Sequence, residues 1–194
     1  MAEVGADLFP RIETDRLVLR KWQERDLDGL AEMNADPRVM EFYPSVLSWA
    51  ESEEMLARYM EAQQRDRLYF SVMSEKGSGR FLGYCGLKTP GYQDRLSFGP
   101  CVEIGWRLLY SQWGKGFASE AARTWLRFGL ETLHLDEIVS FTPVQNFRSE
   151  RVMQRLGMER VEEFEHPMLE QGHRLKQQVL YRMMRQQFLG QNHD

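Results

Sequence analysis

Cysteine is scarce in this chain: only Cys85 and Cys101 occur, and their separation is not a metal-ligand spacing. Two reduced, buried thiols in a cytoplasmic protein are therefore expected. Histidine is nearly as sparse. His134, His166, His173 and His193 share no ligand spacing, so no metal site is expected. No run approaches the roughly eighteen apolar residues that would suggest a membrane span. The first stretch, MAEVGADLFPRIETDR, has neither the basic start nor the apolar centre of a signal peptide. Excess positive charge is missing too. With 25 basic and 29 acidic residues the formal charge is −4, which argues against a nucleic-acid partner and suits, without demanding, a cationic substrate. There is no internal repeat, no low-complexity tract and no linker long enough to split domains.

What is present is a globular composition. Of 194 residues, 42% are hydrophobic and 28% charged, enough for a sizeable core in one domain spanning 1–194. RLVLRKW reads as a strand. Asp26 can cap a helix carrying Leu27, Leu30, Ala31 and Met33, which Pro37 ends. LSWAESEEMLARYMEAQQR reads as a second helix, with Ser48 and Glu51 as a capping box. LYFSVM and RFLGYCGL are strands joined by the glycine-bearing turn SEKGSGR. TPGYQDRLSFGP has the residues of a surface loop.

CVEIGWRLL then alternates. Val102, Ile104, Trp106 and Leu108 point one way; Cys101, Glu103, Gly105 and Arg107 point the other. A glycine turn leads into a long helix whose Phe117, Ala118, Ala121, Ala122, Trp125, Phe128 and Leu130 form a wide buried face. DEIVSF is a strand, and QNFRSERVMQRLGM a short helix stopped by Gly157. MERVEEF and QQVLYRMM close the chain as strands. The order describes one α/β domain around a mixed sheet, with a parallel crossover over 101–141.

The turn SQWGKGFAS can hold phosphate. A helix N-terminus leaves backbone N–H groups unpaired and carries a partial positive charge. Gly114 and Gly116 allow close approach, and Lys115 adds charge. GKGFAS is not a P-loop, which requires GxxxxGK[ST]. It is not the dinucleotide fingerprint either, because Ser119 stands at the third glycine. A plain glycine turn before a core helix remains the alternative.

The block VEIGWRLLYSQWGKGFASEAARTWLRFGLETLHLDEIVSFTPVQNFRSERVMQRLGM resembles the GNAT superfamily of acetyl-CoA-dependent N-acetyltransferases. It is most similar to the branch that includes the ribosomal-protein-alanine N-acetyltransferases. The likeness runs from ETDRLVLRKWQERDLDGLAEMNADPRVMEFYP to the closing VLYRM. It implies a mixed, mostly antiparallel seven-stranded sheet flanked by about four helices, with the fourth and fifth strands splayed. Pantetheine of acetyl-CoA would enter that gap, pairing with backbone groups around Trp106, Arg107 and Leu108. The loop Trp113, Gly114, Lys115, Gly116, Phe117, Ala118, Ser119 would wrap the pyrophosphate. Gly116 and Ala118 match the family pattern Q/R-x-x-G-x-G/A, whereas Trp113 replaces its polar first residue. Asn146 matches the asparagine that contacts the pantetheine arm, and its alternative role is a helix cap.

Attack on a thioester needs a neutral amine. At pH 7 an α-amine costs about 1.4 kcal/mol to deprotonate and a lysine-type amine about 4.6 kcal/mol. Glu103 is the candidate base; the alternative is a pair with Arg107, its same-face neighbour. For the leaving thiolate, Met153 occupies the place where many GNAT enzymes carry a tyrosine, and it cannot donate. Ser149 matches the serine of the ribosomal-protein branch, with a helix-turn serine as its alternative. Tyr181 is a fallback donor. The resemblance puts the oxyanion on a backbone N–H near Trp106 or Leu108. It puts the acceptor amine, a small molecule or a protein N-terminus, among DPRVMEFYPS and EEFEHPMLEQGHRL, where Glu41, Tyr43, Glu163, Glu165 and His166 could line a pocket. A monomer or homodimer fits. Neither cysteine adjoins a base in sequence, so direct attack in a ternary complex is expected. The rival readings are a non-catalytic acyl-CoA sensor on the same fold and a nucleotide-binding regulatory domain.

Overall fold

The structure, a computed structural model, describes residues 11–190 except Arg67. His193 and most of the N-terminal stretch discussed above lie outside the described residues. The strands are β1 (Ile12–Glu13), β2 (Leu17–Arg20), β3 (Phe70–Glu75), β4 (Phe81–Lys88), β5 (Glu103–Leu108), β6 (Glu137–Pro143), β7 (Glu159–Glu165) and β8 (Gln177–Met184). The helices are α1 (Leu27–Ala35), α2 (Trp49–Arg65), α3 (Phe117–Arg127), α4 (Phe147–Arg155) and α5 (Arg185–Gly190).

One eight-stranded sheet has the order β1-β2-β3-β4-β5-β6-β8-β7. Every neighbouring pair is antiparallel except β5–β6, which the α3 crossover makes parallel. The sheet thus has eight strands instead of seven. The extra one, β1, pairs only Ile12 and Glu13 with β2 and is too short to show a period. The fifth helix, α5, is a C-terminal turn anchored by the fully buried Phe188.

Local chemistry sets the ends of the elements. Ser48 and Glu51 form the capping box of α2. Gly157, at φ 77°, stops the helical segment that begins at Phe147. Asp26 sits at the start of α1 but does not cap it. Its carboxylate instead takes a bidentate contact from Arg20 (2.7 and 2.8 Å) and the Gln23 N–H (2.9 Å), closing the preceding 3-10 turn. A forked guanidinium on a buried acid outcompetes a single backbone donor.

Each sheet face has its own core. Trp125, Leu126, Ala121 and Ala122 of α3 pack with Leu17, Leu19, Leu82 and Ile104 on one side. Trp22, Leu30, Met33 and Leu56 meet Phe70, Val72 and Tyr84 on the other. The loop over 89–100 covers β6, β8 and β7 through Leu96 and Phe98, which join Cys101, Val139, Leu180, Phe141 and Phe164. These layers leave the middle of the sheet, where β5 meets β6, as the place of interest.

Candidate functional site

Strands β5 and β6 touch at one point and then part. Their single paired position is Glu103 with Val139. There the Val139 N–H donates to the Val102 carbonyl (2.9 Å), and the Ser140 hydroxyl donates to the Ile104 carbonyl (3.0 Å). Because backbone direction alternates, the next groups aimed at the same edge belong to Trp106 and Leu108. The Leu108 carbonyl accepts the Trp113 indole N–H at 3.0 Å. By that alternation the N–H and C=O of Trp106 face the opening, an edge without a strand partner among the described residues. Arg107 faces elsewhere. Its backbone is paired with Tyr84 of β4, and its guanidinium donates to Asn34 Oδ1 (2.6 Å) and stacks 3.8 Å from the Tyr43 ring. Burial disfavours that charge, but the hydroxyls of Tyr43, Tyr84 and Tyr59 more than restore it.

The glycine turn stands at the open end of this gap. Gly114 (φ 74°) and Gly116 (φ 82°) adopt the left-handed conformation, and Gly116 is the first residue outside α3. The Glu120 N–H closes the first helical bond onto Gly116. The N–H groups of Phe117, Ala118 and Ser119 therefore have no intrahelical partner. Sequence reasoning missed what braces the turn. Arg16 donates to the Lys115 carbonyl (2.9 Å), pairs with Glu120 (2.6 Å) and lies 4.6 Å over the Phe117 ring. The Lys115 ammonium donates to Gln112 Oε1 (3.1 Å).

Glu103 lies at the apex of the gap, on the α1/α2 side of the sheet. The structure pairs it with Lys88, its cross-strand partner on β4, and not with Arg107. The ammonium is 3.3 Å from Oε2. That contact is charged but not aligned, so Oε2 has no hydrogen-bond donor among the described residues. Burial raises the Glu103 carboxyl, and Lys88 only partly offsets this. On Lys88 burial acts against the charge, and Glu103 with Tyr92 and Tyr59 outweighs it. Tyr92 is pushed up to about 12 by burial and by Glu103. It meets His166 Nε2 at 3.0 Å, so the loop over 89–100 and the β7–β8 connection close over this end.

Asn146 caps α4, with Oδ1 accepting the Ser149 N–H (3.3 Å). Its amide donates to Thr142 Oγ1 (2.8 Å) and to Ser149 Oγ (3.1 Å). The Ser149 oxygen is thus an acceptor, which leaves its own hydrogen available to donate. Tyr181 has no such freedom: it donates to Glu150 (2.9 Å) and accepts from Gln154 (3.2 Å). Met153 is core, 1% exposed. Both cysteines are buried and unbridged; burial pushes Cys101 up to about 11 and Cys85 further.

The α1–α2 connection spans the gap as a strap. Arg148 of α4 holds Glu41 (3.0 Å), and Arg174 donates to the Glu41 (2.7 Å) and Tyr43 (3.4 Å) carbonyls. Glu163 and Glu165 stand on the exposed strand β7, beside Arg160 and Lys176 respectively. Among the described residues no cluster of three or more His, Cys, Asp or Glu could hold a metal ion, and no helix is long and apolar enough to cross a membrane.

Comparison with known proteins bears on what such a gap holds. Residues 16–159 match the family model described as an acetyltransferase (GNAT) domain. An uncharacterized N-acetyltransferase, YnaD, from Bacillus subtilis is 27% identical over 152 residues, covering 77% of this chain and 82% of its own. A solved GNAT-family acetyltransferase from Bacillus anthracis superposes with a TM-score of 0.76 at 25% identity, covering 90% of this chain and 98% of that one. A ribosomal-protein-S5-alanine acetyltransferase from Vibrio fischeri has a TM-score of 0.70 at 14% identity, over 91% of this chain and 97% of its own, a likeness of fold alone.

Proposed function

The chain belongs to the GNAT acetyltransferase family, and from that premise we propose that it transfers an acetyl group from acetyl-CoA to a primary amine, a peptide N-terminus or a small molecule, by direct attack in a ternary complex. The observation that carries this reading is the β5–β6 opening. An unpaired strand edge at Trp106, a helix N-terminus behind two left-handed glycines, and a buried carboxylate lie along one strand and its following turn. Bound acetyl-CoA would supply the activated acetyl thioester.

The chain supplies the rest. Phe117, Ala118 and Ser119 offer backbone donors to a pyrophosphate. The Trp106 edge would pair with an amide-bearing arm, and a backbone N–H near Trp106 or Leu108 would steady the carbonyl oxygen. Glu103, with Oε2 lacking an aligned donor, accepts the proton that the amine must lose. Ser149 would donate a hydrogen bond to the departing sulfur, its hydroxyl oriented by Asn146. The strap carrying Glu41 and Tyr43, with Tyr92 and His166, borders the approach of the amine. Neither cysteine is a thiolate at neutral pH, which favours direct attack over a covalent acetyl-enzyme.

The test is a panel of amines with acetyl-CoA, followed by release of free thiol. Turnover that depends on an amine supports the proposal. Tight acetyl-CoA binding with no turnover on peptide N-termini, polyamines or aminoglycosides would leave a sensor in its place.

A further inference from the structure

Trp113 departs from the polar first residue of the clamp, and its surroundings indicate what replaces the lost charge. The indole N–H is engaged by the Leu108 carbonyl, so position 113 offers the gap only its ring. Over that ring, 4.9 Å from its centroid, lies the guanidinium of Arg148. Arg148 belongs to the first turn of α4, whose start Asn146 fixes by capping. It therefore reaches from the β6 side of the gap to the β5 side.

The other arginines nearby are committed, while Lys115 is exposed and bonded to the neutral Gln112, so it remains a second cation on the turn. Arg16 is held by Glu120 and the Lys115 carbonyl. Arg38 makes a forked contact with Asp36 (2.9 and 2.7 Å) and stacks on Tyr110. Among the described residues Arg148 has a single, monodentate carboxylate partner, Glu41 at 3.0 Å, and both side chains are exposed (63% and 49%). Such a pair is weak and readily exchanged. Between Arg148, Glu41, Trp113, Tyr110, Arg38 and Pro37 lies a cavity of about 320 Å³.

We propose that Arg148 is a side-chain cation of the clamp, beside Lys115. On cofactor binding it leaves Glu41 for the pyrophosphate, held at the mouth of the gap by the Trp113 ring. This rests on the acetyl-CoA reading above. A guanidinium matches phosphate oxygens in fork geometry and stacks on an indole, which lysine does neither as well. The exchange also frees the strap on its α4 side, so cofactor binding loosens the border of the acceptor approach.

Calorimetric titration with coenzyme A and with dephospho-coenzyme A, which keeps the pyrophosphate but lacks the 3′-phosphate, tests this without turnover. Arg148→Ala should weaken both ligands by the same factor, about tenfold to a hundredfold for one charged hydrogen-bonding group. Arg148→Lys should recover part of the loss, and Glu41→Gln should bind both at least as tightly as the unaltered chain. Melting temperatures should stay within a degree or two, because both side chains are exposed. Undiminished affinity in Arg148→Ala, a loss confined to coenzyme A, or weaker binding in Glu41→Gln would each overturn the inference. If the unaltered chain bound neither ligand, the acetyl-CoA reading itself would fall, and this one with it.

Discussion

Replacing Glu103 by glutamine keeps the shape of the side chain and removes its basicity. The amine must lose a proton that costs about 1.4 kcal/mol for an α-amine and about 4.6 kcal/mol for a lysine-type amine at pH 7. A positioned base is worth about 10²–10⁴-fold, so kcat/KM should fall by that factor. The KM for acetyl-CoA should hardly move, because the Glu103 carboxylate lies beside Lys88 on the side from which the amine approaches, and not on the strand edge that would pair with the cofactor. Stability separates catalysis from folding. Burial raises the Glu103 carboxyl above its ordinary value, so the native chain binds a proton more tightly than the unfolded one. Stability therefore falls as pH rises from the ordinary carboxylate range through the raised value, and the penalty persists above it. Glu103→Gln should lack that step. The variant leaves Lys88 without its partner, but 38% of the Lys88 side chain is exposed and the ammonium can turn to water, so the loss of the pair is a modest, solvent-screened one. The double variant with Lys88→Met should melt at least as high as the single one and remain equally slow. The assay is thiol release across pH, with thermal melts at each point. A Glu103→Gln enzyme with unchanged kcat/KM and an unchanged pH profile would refute the role.

Three further outcomes follow from the same geometry. Lys88→Met leaves burial of Glu103 unopposed, so the acid limb of the kcat/KM profile should move to higher pH; a limb that stays in place or moves down would contradict the pairing. Asn146→Ala removes the cap of α4 and the donor to Ser149, costing about 1 kcal/mol in thermal or urea unfolding and lowering kcat as the serine loses its orientation; kcat equal to that of the unaltered chain would dissociate Ser149 from thiol protonation. Cys85 and Cys101 should resist iodoacetamide at pH 7.5 in the folded chain, and mass spectrometry after mixing with acetyl-CoA alone should find neither acetylated.

Much of the fold is legible where one segment contains its own explanation. The Ser48–Glu51 box, the hairpin around Gly77 and Gly79, and the Gly157 stop are local chemistry, and each lies where the residues place it. Alternation in CVEIGWRLL is also local. It puts Ile104 and Leu108 in the α3 core and Glu103 and Arg107 on the other side. Partners across the sheet are not legible in this way. Reading along β5 offers Arg107 to Glu103, but four residues of strand span about 13 Å. The i, i+4 neighbour is a helical relation, and the true partner Lys88 follows from a register that β4 and β5 set together. Arg148 over Trp113 and Arg16 behind Lys115 are contacts between remote segments, invisible before the sheet is assembled. The splayed strands came from family resemblance alone; nothing in the spacing of β5 and β6 reveals that they pair at one residue.

Acetyl-CoA is proposed to lie between β5 and β6 with its pyrophosphate on the turn before α3. Amide hydrogen exchange with and without acetyl-CoA tests this most directly. Exchange should slow at Trp106 and across Gly114–Ser119, with β1 and β7 unchanged. Binding that protects other segments and leaves Trp106 and the glycine turn exchanging as before would contradict it.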